Sequence, residues 1–574
     1  MTSPLDKGID AHIFTAATLR LARHLCFLYS EEREGVTLAT ACALGALQAG
    51  SVCFDLEHPE LLHQHQDVEM TWPQVDEWRE ELLSSPMVAT SPVSTPGGLV
   101  MESTLIYVRR YWQAQESIAQ WITRRSSSPS MTPTPGVELF FSGKFLPQRE
   151  AGIIATQTRF CVLAGGPGTG KTTTVARILA AITHEQGSKQ RVILCAPTGR
   201  AAARLEQAVR ENLEACQELG GCAIHCESGT IHRILGLNFW GSLAHTALNP
   251  IPADIIVVDE ASMLSLHMMT LLLAATSEST RLILVGDPDQ LTSVDAGAVL
   301  ADIASEDTVT PVARLSTTFR FSGAIASLAE AIRRGQTDIA LHILATNGDT
   351  IEWVDDDSDF RYGQASTLES LRDDILAQQR DLITFCEQGD IAAGLASLDS
   401  HRLLLAHRHG PFGVNRWTLE VRQWLSDSFS RSTFFSPWYV GMPMLVTRND
   451  EIINVYNGDS GVVVSDNQEP SLAVGDSRNF HKVSLAMIPS SEPLYCSTIH
   501  KAQGSQFGTV SVLLGASSST FLSRELLYTA VTRARKRLRI IGSAETLSRA
   551  INSPALRASG LAEKLRRHQD EEAH

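Results

Sequence analysis

The chain has 574 residues, of which 43% are hydrophobic, and its formal net charge is −16 at pH 7. This length exceeds what one hydrophobic core can organise, so several domains are expected. The acidic balance argues against a protein that binds nucleic acid over its whole surface, although a basic track inside a groove is compatible with it. No apolar run is long enough to cross a membrane and no signal peptide is evident, so the sequence predicts a cytoplasmic protein.

Residues 1–125 show mainly helical patterns and are predicted to form a helical N-terminal domain. The segment 39–48 is rich in Ala and Leu, as buried helices are, and 108–122 carries apolar residues at helical spacing. Residues 126–136, SSSPSMTPTPG, combine Ser, Thr and Pro and predict a linker.

From residue 137 onward, short apolar runs alternate with helical segments. Each run is almost wholly apolar, as expected of strands that helices cover on both faces. The alternation predicts an α/β fold with a doubly wound parallel sheet, in a domain at 137–345. The runs predicted to be strands are 160–164, 192–196, 255–259 and 282–286.

A second α/β domain is predicted at 346–574. Its segment 432–490 differs from the rest, because it has short β-like runs separated by glycine and Asn-Gly turns, including Asn457-Gly458. We interpret this segment as a small β-barrel inserted into the second domain.

A glycine-rich loop lies between the first predicted strand and the helical segment that follows it. Loops that bind nucleotide phosphates have this strand–loop–helix order, and their glycines let backbone N–H groups face the phosphates. Lys171 is predicted to reach the β- and γ-phosphates and Thr172 to hold Mg²⁺. The sequence therefore predicts an enzyme that hydrolyses a nucleotide. The residues of the loop are Gly165, Gly166, Pro167, Gly168, Thr169, Gly170, Lys171, Thr172 and Thr173.

Polar side chains follow two later strands of the same predicted sheet. Asp259 and Glu260 end the run at 255–259, where Asp259 would position Mg²⁺ and Glu260 would deprotonate the attacking water. Gln290, in the sequence GDPDQ, could sense both the γ-phosphate and a neighbouring loop. The alternatives are a solvated strand end and an ordinary turn, since Gly-Asp-Pro is common in turns.

Two other patterns are less specific. Thr198 follows the second predicted strand and could bind a phosphate backbone at a helix start, or could simply cap that helix. Cys216, Cys222 and Cys226 lie near two histidines, but their spacing matches no zinc motif. We therefore interpret them as reduced structural thiols.

Taken in order, these motifs resemble those of superfamily 1 helicases and, within that superfamily, the RecD family. The likeness continues through FRF at 319–321, STIHKAQGS at 497–505 and LYTAVTRAR at 527–535. The resemblance implies two RecA-like motor domains, an SH3-like fold for the inserted barrel, ATP as the nucleotide and Mg²⁺ as cofactor. It also implies that Gln148 contacts the adenine, and that Arg320 and Arg533 contact the γ-phosphate as arginine fingers.

By the same resemblance, Thr198, Thr498 and His500 contact DNA, although His500 could instead be a structural histidine. Contacts of this kind to the nucleic-acid backbone are independent of base sequence. One position departs from the family pattern, because Gln506 stands where a Glu is usual near the end of the fifth motif. An amide can still hydrogen-bond a nucleotide sugar, but it does so without charge.

The segments 35–44 and 50–55 resemble the RecD N-terminal domain, which docks on a RecC subunit in that family. The resemblance thus implies a heterotrimer with RecB-like and RecC-like subunits that unwinds duplex DNA ends in double-strand break repair and recombination. This chain would move 5′ to 3′ on single strands. No nuclease centre is evident, so cutting is expected of a partner subunit. The alternatives are a stand-alone RecD-like helicase and a phosphate-loop ATPase that is not a motor.

Overall fold

The computed structural model describes most of the chain. The described residues are 4–10, 13–62, 70, 72–90, 97–126, 132–186, 190–219, 224–238, 241–293, 295–306, 308, 310–315, 323–355, 368–429, 432–450, 452–466, 469–515 and 522–573. None of the helices in these ranges is long and apolar enough to cross a membrane.

The N-terminal domain combines helices with a small sheet whose strands pair in the order β1-β4-β3-β2. Its elements are α1 (Pro4–Asp10), α2 (Ala16–Leu28), α3 (Glu34–Gln48), β1 (Phe54–Asp55), α4 (Val75–Leu83), β2 (Val88–Ala89), β3 (Leu99–Glu102), β4 (Leu105–Val108) and α5 (Arg109–Thr123). The predicted helices correspond to α3 and α5. The prediction of a helical domain missed the sheet, because strands of two to four residues are too short to show a period-two pattern.

The first α/β domain, which corresponds to the first motor domain implied by the resemblance, is built on six parallel strands in the order β10-β5-β9-β8-β6-β7. Its elements are α6 (Pro135–Phe140), α7 (Arg149–Gln157), β5 (Phe160–Gly165), α8 (Lys171–Gln186), β6 (Val192–Ala196), α9 (Gly199–Gln217), β7 (Cys226–Thr230), α10 (Ile231–Leu235), β8 (Ile255–Val258), α11 (Leu266–Ala275), β9 (Arg281–Gly286), α12 (Val299–Ile303) and β10 (Val312–Leu315). All four predicted runs are strands of this sheet. The two edge strands, β7 and β10, were not predicted, because polar residues interrupt their apolar pattern.

The residues of the central strands alternate between two cores. Val162 and Ile256 pack with Trp112 of α5 on one face, while Leu163 and Val257 pack against α8 on the other. Covering both faces fixes the sheet and brings the carboxyl ends of β5, β6, β8 and β9 to one edge. In open parallel sheets, ligands bind at this edge.

The second motor domain has a parallel sheet in the order β11-β20-β19-β12-β18. Before the insertion it contains α13 (Ala324–Arg333), α14 (Thr337–Thr346), β11 (Ile351–Val354), α15 (Glu369–Glu387), α16 (Ile391–Leu398), β12 (His401–Leu405) and α17 (Val414–Phe429). The insertion has β13 (Pro443–Val446), β14 (Ser460–Asp466), β15 (Glu469–Gly475), β16 (Phe480–Ser484) and β17 (Ser491–Pro493). After it come β18 (Cys496–Thr498), β19 (Phe507–Leu513), α18 (Arg524–Val531), β20 (Ala534–Ile541), α19 (Ala544–Asn552) and α20 (Leu561–Ala573).

The insertion is an antiparallel sheet in the order β16-β15-β14-β13-β17. The turn before β14 contains Gly458, whose φ of +95° favours glycine. The β-rich prediction therefore matches the secondary structure, and the strands continue beyond the predicted end at 490 as far as Pro493.

Two predicted boundaries fall inside helices. The boundary at 345/346 lies in α14, whose Ala340 and Leu344 are buried in the same core as Val510 of the second sheet. The second motor domain therefore includes α13 and α14. The predicted linker 126–136 overlaps α6, which Thr134 caps by accepting a hydrogen bond from the backbone N–H of Val137.

The last helix, α20, does not pack on the second sheet. Its Leu561 and Leu565 are buried together with Tyr107 and Ile118 of the N-terminal part of the chain. The last helix thus packs with the N-terminal domain on one face of the first motor domain.

Candidate nucleotide and DNA site

The glycine-rich loop connects the end of β5 to the start of α8. Gly168 and Gly170 both have φ of +81°, a conformation that side chains strongly disfavour. A Cβ at Gly166 would lie only 3.0 Å from the hydroxyl of Tyr528, in the second motor domain. The loop thus needs its glycines for two reasons, backbone conformation and close approach of the facing domain.

Side chains of the loop hold its shape. Lys171 Nζ donates to the carbonyl oxygens of Gly165 at 2.6 Å and of Gly166 at 3.0 Å. Thr169 Oγ1 donates to the carbonyl of Gly166 at 2.8 Å. Thr172 is half-buried in the first turn of α8, where a helix N-terminus favours anions.

Two carboxylates follow β8. The backbone N–H of Glu260 donates to Asp259 Oδ1 at 2.9 Å. Burial and the charge of Glu260 raise the pKa of Asp259 to about 6, while the charge of Lys171 acts in the opposite direction. Glu260 has φ of +52°, which is uncommon for a residue with a side chain. A pair of carboxylates beside a lysine is suited to a hydrated divalent cation.

The next strand, β9, leads into a network that reaches the second domain. Gln290 Nε2 donates to Asp287 Oδ2 at 3.0 Å, and the Tyr528 hydroxyl donates to the same oxygen at 3.1 Å. Burial raises the pKa of Asp287, while the charge of Lys171 opposes that change. Gln290 is therefore tied to the carboxylate that the second domain also contacts.

The residue after Gln290 is held by the second domain through its backbone. The N–H of Leu291 donates to Thr529 Oγ1 at 2.9 Å, and its carbonyl accepts from Gln503 Nε2 at 2.7 Å. A movement of one domain relative to the other would therefore directly displace the backbone at Leu291.

Arg533 lies behind the same network and is only 3% exposed. Its Nε donates to the carbonyl of Thr529 at 3.0 Å and its Nη1 to the carbonyl of Ser505 at 3.3 Å. Burial lowers the pKa of Arg533, and the charges of Glu260 and Asp287 oppose that effect. The structure thus brings Arg533 to the domain interface. Arg320 lies outside the described residues.

A cleft of about 470 Å³ lies between the glycine-rich loop and the second domain. Pro167 and Asp289 line it on one side, and Tyr528, Thr532 and Arg333 line it on the other. Its lining therefore comes from both motor domains, as a site that responds to their relative position requires.

The chemistry of this site fits a nucleotide with a divalent cation. Gln148 and Gln290 are 4% and 3% exposed, and among the described residues neither Oε1 has a hydrogen-bond partner. Buried amide oxygens of this kind need a partner, which a ligand can provide. The cradle of backbone N–H groups, the lysine and the two carboxylates supply the rest.

The candidate DNA-binding residues lie at or just after the carboxyl ends of β6 in the first sheet and β18 in the second. Thr198 Oγ1 accepts from the N–H of Ala201 at 3.3 Å, so it caps α9. Thr498 Oγ1 accepts from the N–H of Lys501 at 3.3 Å. Burial lowers the pKa of His500, and the charge of Arg557 lowers it further. All three side chains are half-buried, so part of each is accessible to a ligand.

A second cleft, of about 540 Å³, separates α9 from the inserted sheet. Its lining includes Arg200, Arg233, Tyr456 and Phe480. Arginines and aromatic rings together are the side chains that bind single-stranded nucleic acid. The same cleft is also lined by Asp399, Asp459 and Asp476, of which Asp399 pairs with Arg200, so its charge is mixed.

Two important residues were missed by the sequence reasoning. Tyr528 lies within a quoted motif without an assigned role, and Arg204 lies one helical turn after Arg200 on α9. Arg204 Nη1 donates to the carbonyl of Gly504 at 2.9 Å and its Nη2 to Gln506 Oε1 at 3.2 Å. Gln506 thus contacts the facing domain, which no sequence signal indicated.

Two of the three clustered cysteines, Cys216 and Cys226, lie in the described residues. Within the described ranges, no group of three or more His, Cys, Asp or Glu side chains is placed to hold a metal ion. Cys216 is buried and Cys226 is partly buried as free thiols, while Cys222 lies outside those ranges.

Geometry of this kind defines a class of protein: a phosphate-loop motor with two α/β domains that share one nucleotide cleft. Family models agree with that class. Residues 147–356 match an AAA domain, residues 493–541 match a UvrD-like helicase C-terminal domain, and residues 10–107 match the RecBCD enzyme subunit RecD, N-terminal domain.

Whole-length relatives narrow the assignment. RecBCD enzyme subunit RecD of Mycolicibacterium smegmatis is 40% identical over 565 residues, covering 97% of this chain and 98% of the relative. RecBCD enzyme subunit RecD of Haemophilus influenzae is 30% identical over 554 residues, covering 86% of this chain and 85% of the relative. The chain belongs to the RecD family, and it is a helicase subunit of that kind.

A solved structure of Pif1 helicase from Bacteroides, in complex with ADP-AlF3 and single-stranded DNA, has 15% sequence identity and a TM-score of 0.39. It covers 77% of this chain and 98% of the Pif1 chain. The family assignment rests on the RecD relatives and not on this weak likeness.

Proposed function

We propose that the chain hydrolyses ATP to move 5′ to 3′ along single-stranded DNA. It would unwind duplex ends in double-strand break repair, in a cytoplasmic complex with RecB-like and RecC-like subunits. A partner subunit would carry the nuclease activity. The observation that carries the proposal is the shared cleft, in which Tyr528 of the second domain donates to Asp287 of the first beside the phosphate loop.

The polar groups around the phosphate loop have distinct roles in this proposal. Lys171 and the loop N–H groups bind the β- and γ-phosphates, and Thr172 with Asp259 would hold Mg²⁺. When bound, Mg²⁺ would neutralise charge on the β- and γ-phosphate oxygens. Glu260 accepts a proton from the attacking water, and Gln148 contacts the adenine.

Arg533 would offset the charge that develops on the γ-phosphate. Its present bonds to Thr529 and Ser505 lie within its own domain, so it reaches the nucleotide only when the cleft narrows. Hydrolysis and release would then let the cleft widen. Such cycles of closure and opening change the separation of two DNA-binding domains.

The DNA track would run over Thr198 in the first domain and over Thr498 and His500 in the second. The inserted sheet, which we propose to be an SH3-like barrel, would extend this track, because Tyr456 and Phe480 line the cleft beside Gly199 and Arg200. Stacking on aromatic rings binds any base and therefore suits a motor that must pass along every sequence.

The test is the ATPase rate of the purified chain with and without single-stranded DNA. Strong stimulation that disappears in Lys171→Gln supports the proposal, and Lys7→Gln, which changes an exposed lysine of α1, is the matched control. A rate that DNA does not change, in the chain and in the complex with both partners, would refute the motor.

A stand-alone helicase is the second candidate. The RecD2 helicase of Deinococcus radiodurans is 30% identical over 422 residues, but these cover only 51% of that relative. Unwinding by the chain alone, together with gel filtration showing no association with RecB-like and RecC-like subunits, would favour this alternative.

A further inference from the structure

One face of α9 carries the polar contacts of this helix to the second half of the chain. Positions 200, 204 and 211 lie within about 40° of each other around a helix of 3.6 residues per turn. Arg200 Nη2 donates to Asp399 Oδ1 at 2.7 Å, and Glu211 accepts from Arg478 at 2.6 Å. Arg204, between them, makes the two contacts with Gly504 and Gln506.

The segment that Arg204 contacts is a turn at 503–506, and each of its residues meets a different part of the proposed machinery. Gln503 donates to Leu291, the residue after Gln290. The carbonyl of Ser505 accepts from Arg533. A Cβ at Gly504 would lie 3.7 Å from Glu260 Oε1 and 3.6 Å from Ala201 Cβ. The turn is therefore packed directly against the proposed general base.

We infer that Arg204 is a positioning residue that seats the turn 503–506 against Glu260, so that Arg533 and Leu291 keep their places when the domains close. This inference rests on the proposed function of the site. A guanidinium presents several N–H donors in a fixed plane and can bond a carbonyl and an amide at once. The contact of Arg204 with Gly504 and Gln506 joins the two domains. The Arg204 side chain is half-buried, so this contact can form and break as the domains move.

Hydrogen–deuterium exchange of the full chain tests the seating without depending on activity. Arg204→Ala should speed exchange of the backbone amides at 503–507. The matched control is Arg210→Ala on the same helix, because the side chain of Arg210 is 67% exposed and pairs with Glu206 four residues away. Equal exchange rates of the amides at 503–507 in Arg204→Ala and Arg210→Ala would overturn the inference.

Steady-state kinetics test the consequence. In the presence of single-stranded DNA, Arg204→Ala should lower kcat for ATP by about tenfold, within the usual range of coupling between sites, while KM for ATP changes little. Faster amide exchange at 503–507 in Arg204→Ala with an unchanged kcat would refute the positioning role. An equal loss of kcat in Arg210→Ala would also refute it.

Arg204→Lys separates seating from charge. Lysine keeps a positive charge near Asp259, but it lacks the planar pair of nitrogens through which Arg204 reaches Gly504 and Gln506. We expect it to resemble Arg204→Ala in both measurements, whereas full rescue would show an electrostatic role instead. If Lys171→Gln leaves the ATPase rate intact, the proposed function fails, and the exchange data still decide whether Arg204 seats the turn.

Discussion

Two interfaces join the parts of this chain, and their chemistry differs. The cleft interface, between the first motor domain and residues 503–533, combines single hydrogen bonds such as that from Tyr528 to Asp287 with the packing of Leu291 into the core of the second domain. The C-terminal clasp, residues 557–568, joins the N-terminal domain through apolar packing and through the ion pair that the buried Lys564 forms with Glu102. Single bonds beside a cleft can be exchanged during a cycle, whereas a buried charged cluster can be broken only at high cost.

The clasp has the features of a permanent joint. Lys564 is 1% exposed, pairs with Glu102, and lies 4.7 Å from the ring centroid of Trp112. The N–H of Val52 donates to the carbonyl of Ala558 at 2.9 Å. Changes in the cleft interface should therefore alter turnover, and changes in the clasp should alter stability.

The largest effect is expected at Arg533. Arg533→Ala should lower kcat on the order of 10³-fold, as loss of an arginine finger does, while nucleotide binding is retained. Fluorescent-nucleotide titration and steady-state ATPase assays measure the two quantities. An equal loss of binding and hydrolysis would remove Arg533 from this role.

The clasp should give the opposite result. Lys564→Ala should lower the free energy of unfolding by about 2 kcal/mol, because it leaves the half-buried carboxylate of Glu102 short of one partner and removes packing beside the Trp112 ring. Thermal unfolding of the full chain measures the change. Lys564→Met, which keeps the apolar volume beside the Trp112 ring, should recover part of it. A large loss of kcat well below Tm would show that the two interfaces are not separate.

A smaller and more selective effect is expected at Gln290. Gln290→Ala removes the bond to Asp287 but leaves the Tyr528 contact, so ATP hydrolysis should persist while strand unwinding falls. A coupling free energy of ordinary size between two sites corresponds to a loss of unwinding of about 5- to 150-fold. Unwinding and ATPase rates measured on the same preparation give the ratio, and unchanged unwinding per ATP would exclude coupling through Gln290.

The smallest effect concerns pH dependence at the clasp. Burial raises the pKa of Asp302 to about 7, opposed by a hydrogen bond from Ser559. The pKa of Asp302 in the folded protein lies above its ordinary value of 3.8. Its contribution to the free energy of unfolding is therefore complete below pH 3.8 and is lost as the pH rises through about 7. Asp302→Asn removes the ionisable group. The Tm of the variant should therefore rise relative to that of the parent chain as the pH increases from 5 to 8. A constant difference would contradict the assignment.

The strands of the first motor domain were predictable because β5, β6, β8 and β9 are covered on both faces. Continuous apolar runs mark such strands in any sequence. The edge strand β7, Cys226–Thr230, carries Glu227 and Ser228, so periodicity could not reveal it. The domain boundary near α14 was misplaced for a related reason, since a helix pattern does not say which sheet the helix packs on.

For the site, the phosphate loop, the two carboxylates and the positions of Gln290 and Arg533 follow from local motifs. Such motifs work because loop conformation and strand ends are set by nearby residues. Arg204 and Gln506 are 302 positions apart, and no local pattern links a helix residue in one domain to a turn in another.

The sequence by itself determined the class of chemistry, the order of the domains and the family, because glycines, strand tips and motif order are local properties. Only the tertiary structure decided which groups meet across the cleft, that Arg533 is bonded within its own domain, and that α20 returns to the N-terminal domain. These features depend on how buried surfaces of distant segments fit together, and packing of that kind is fixed by the whole fold.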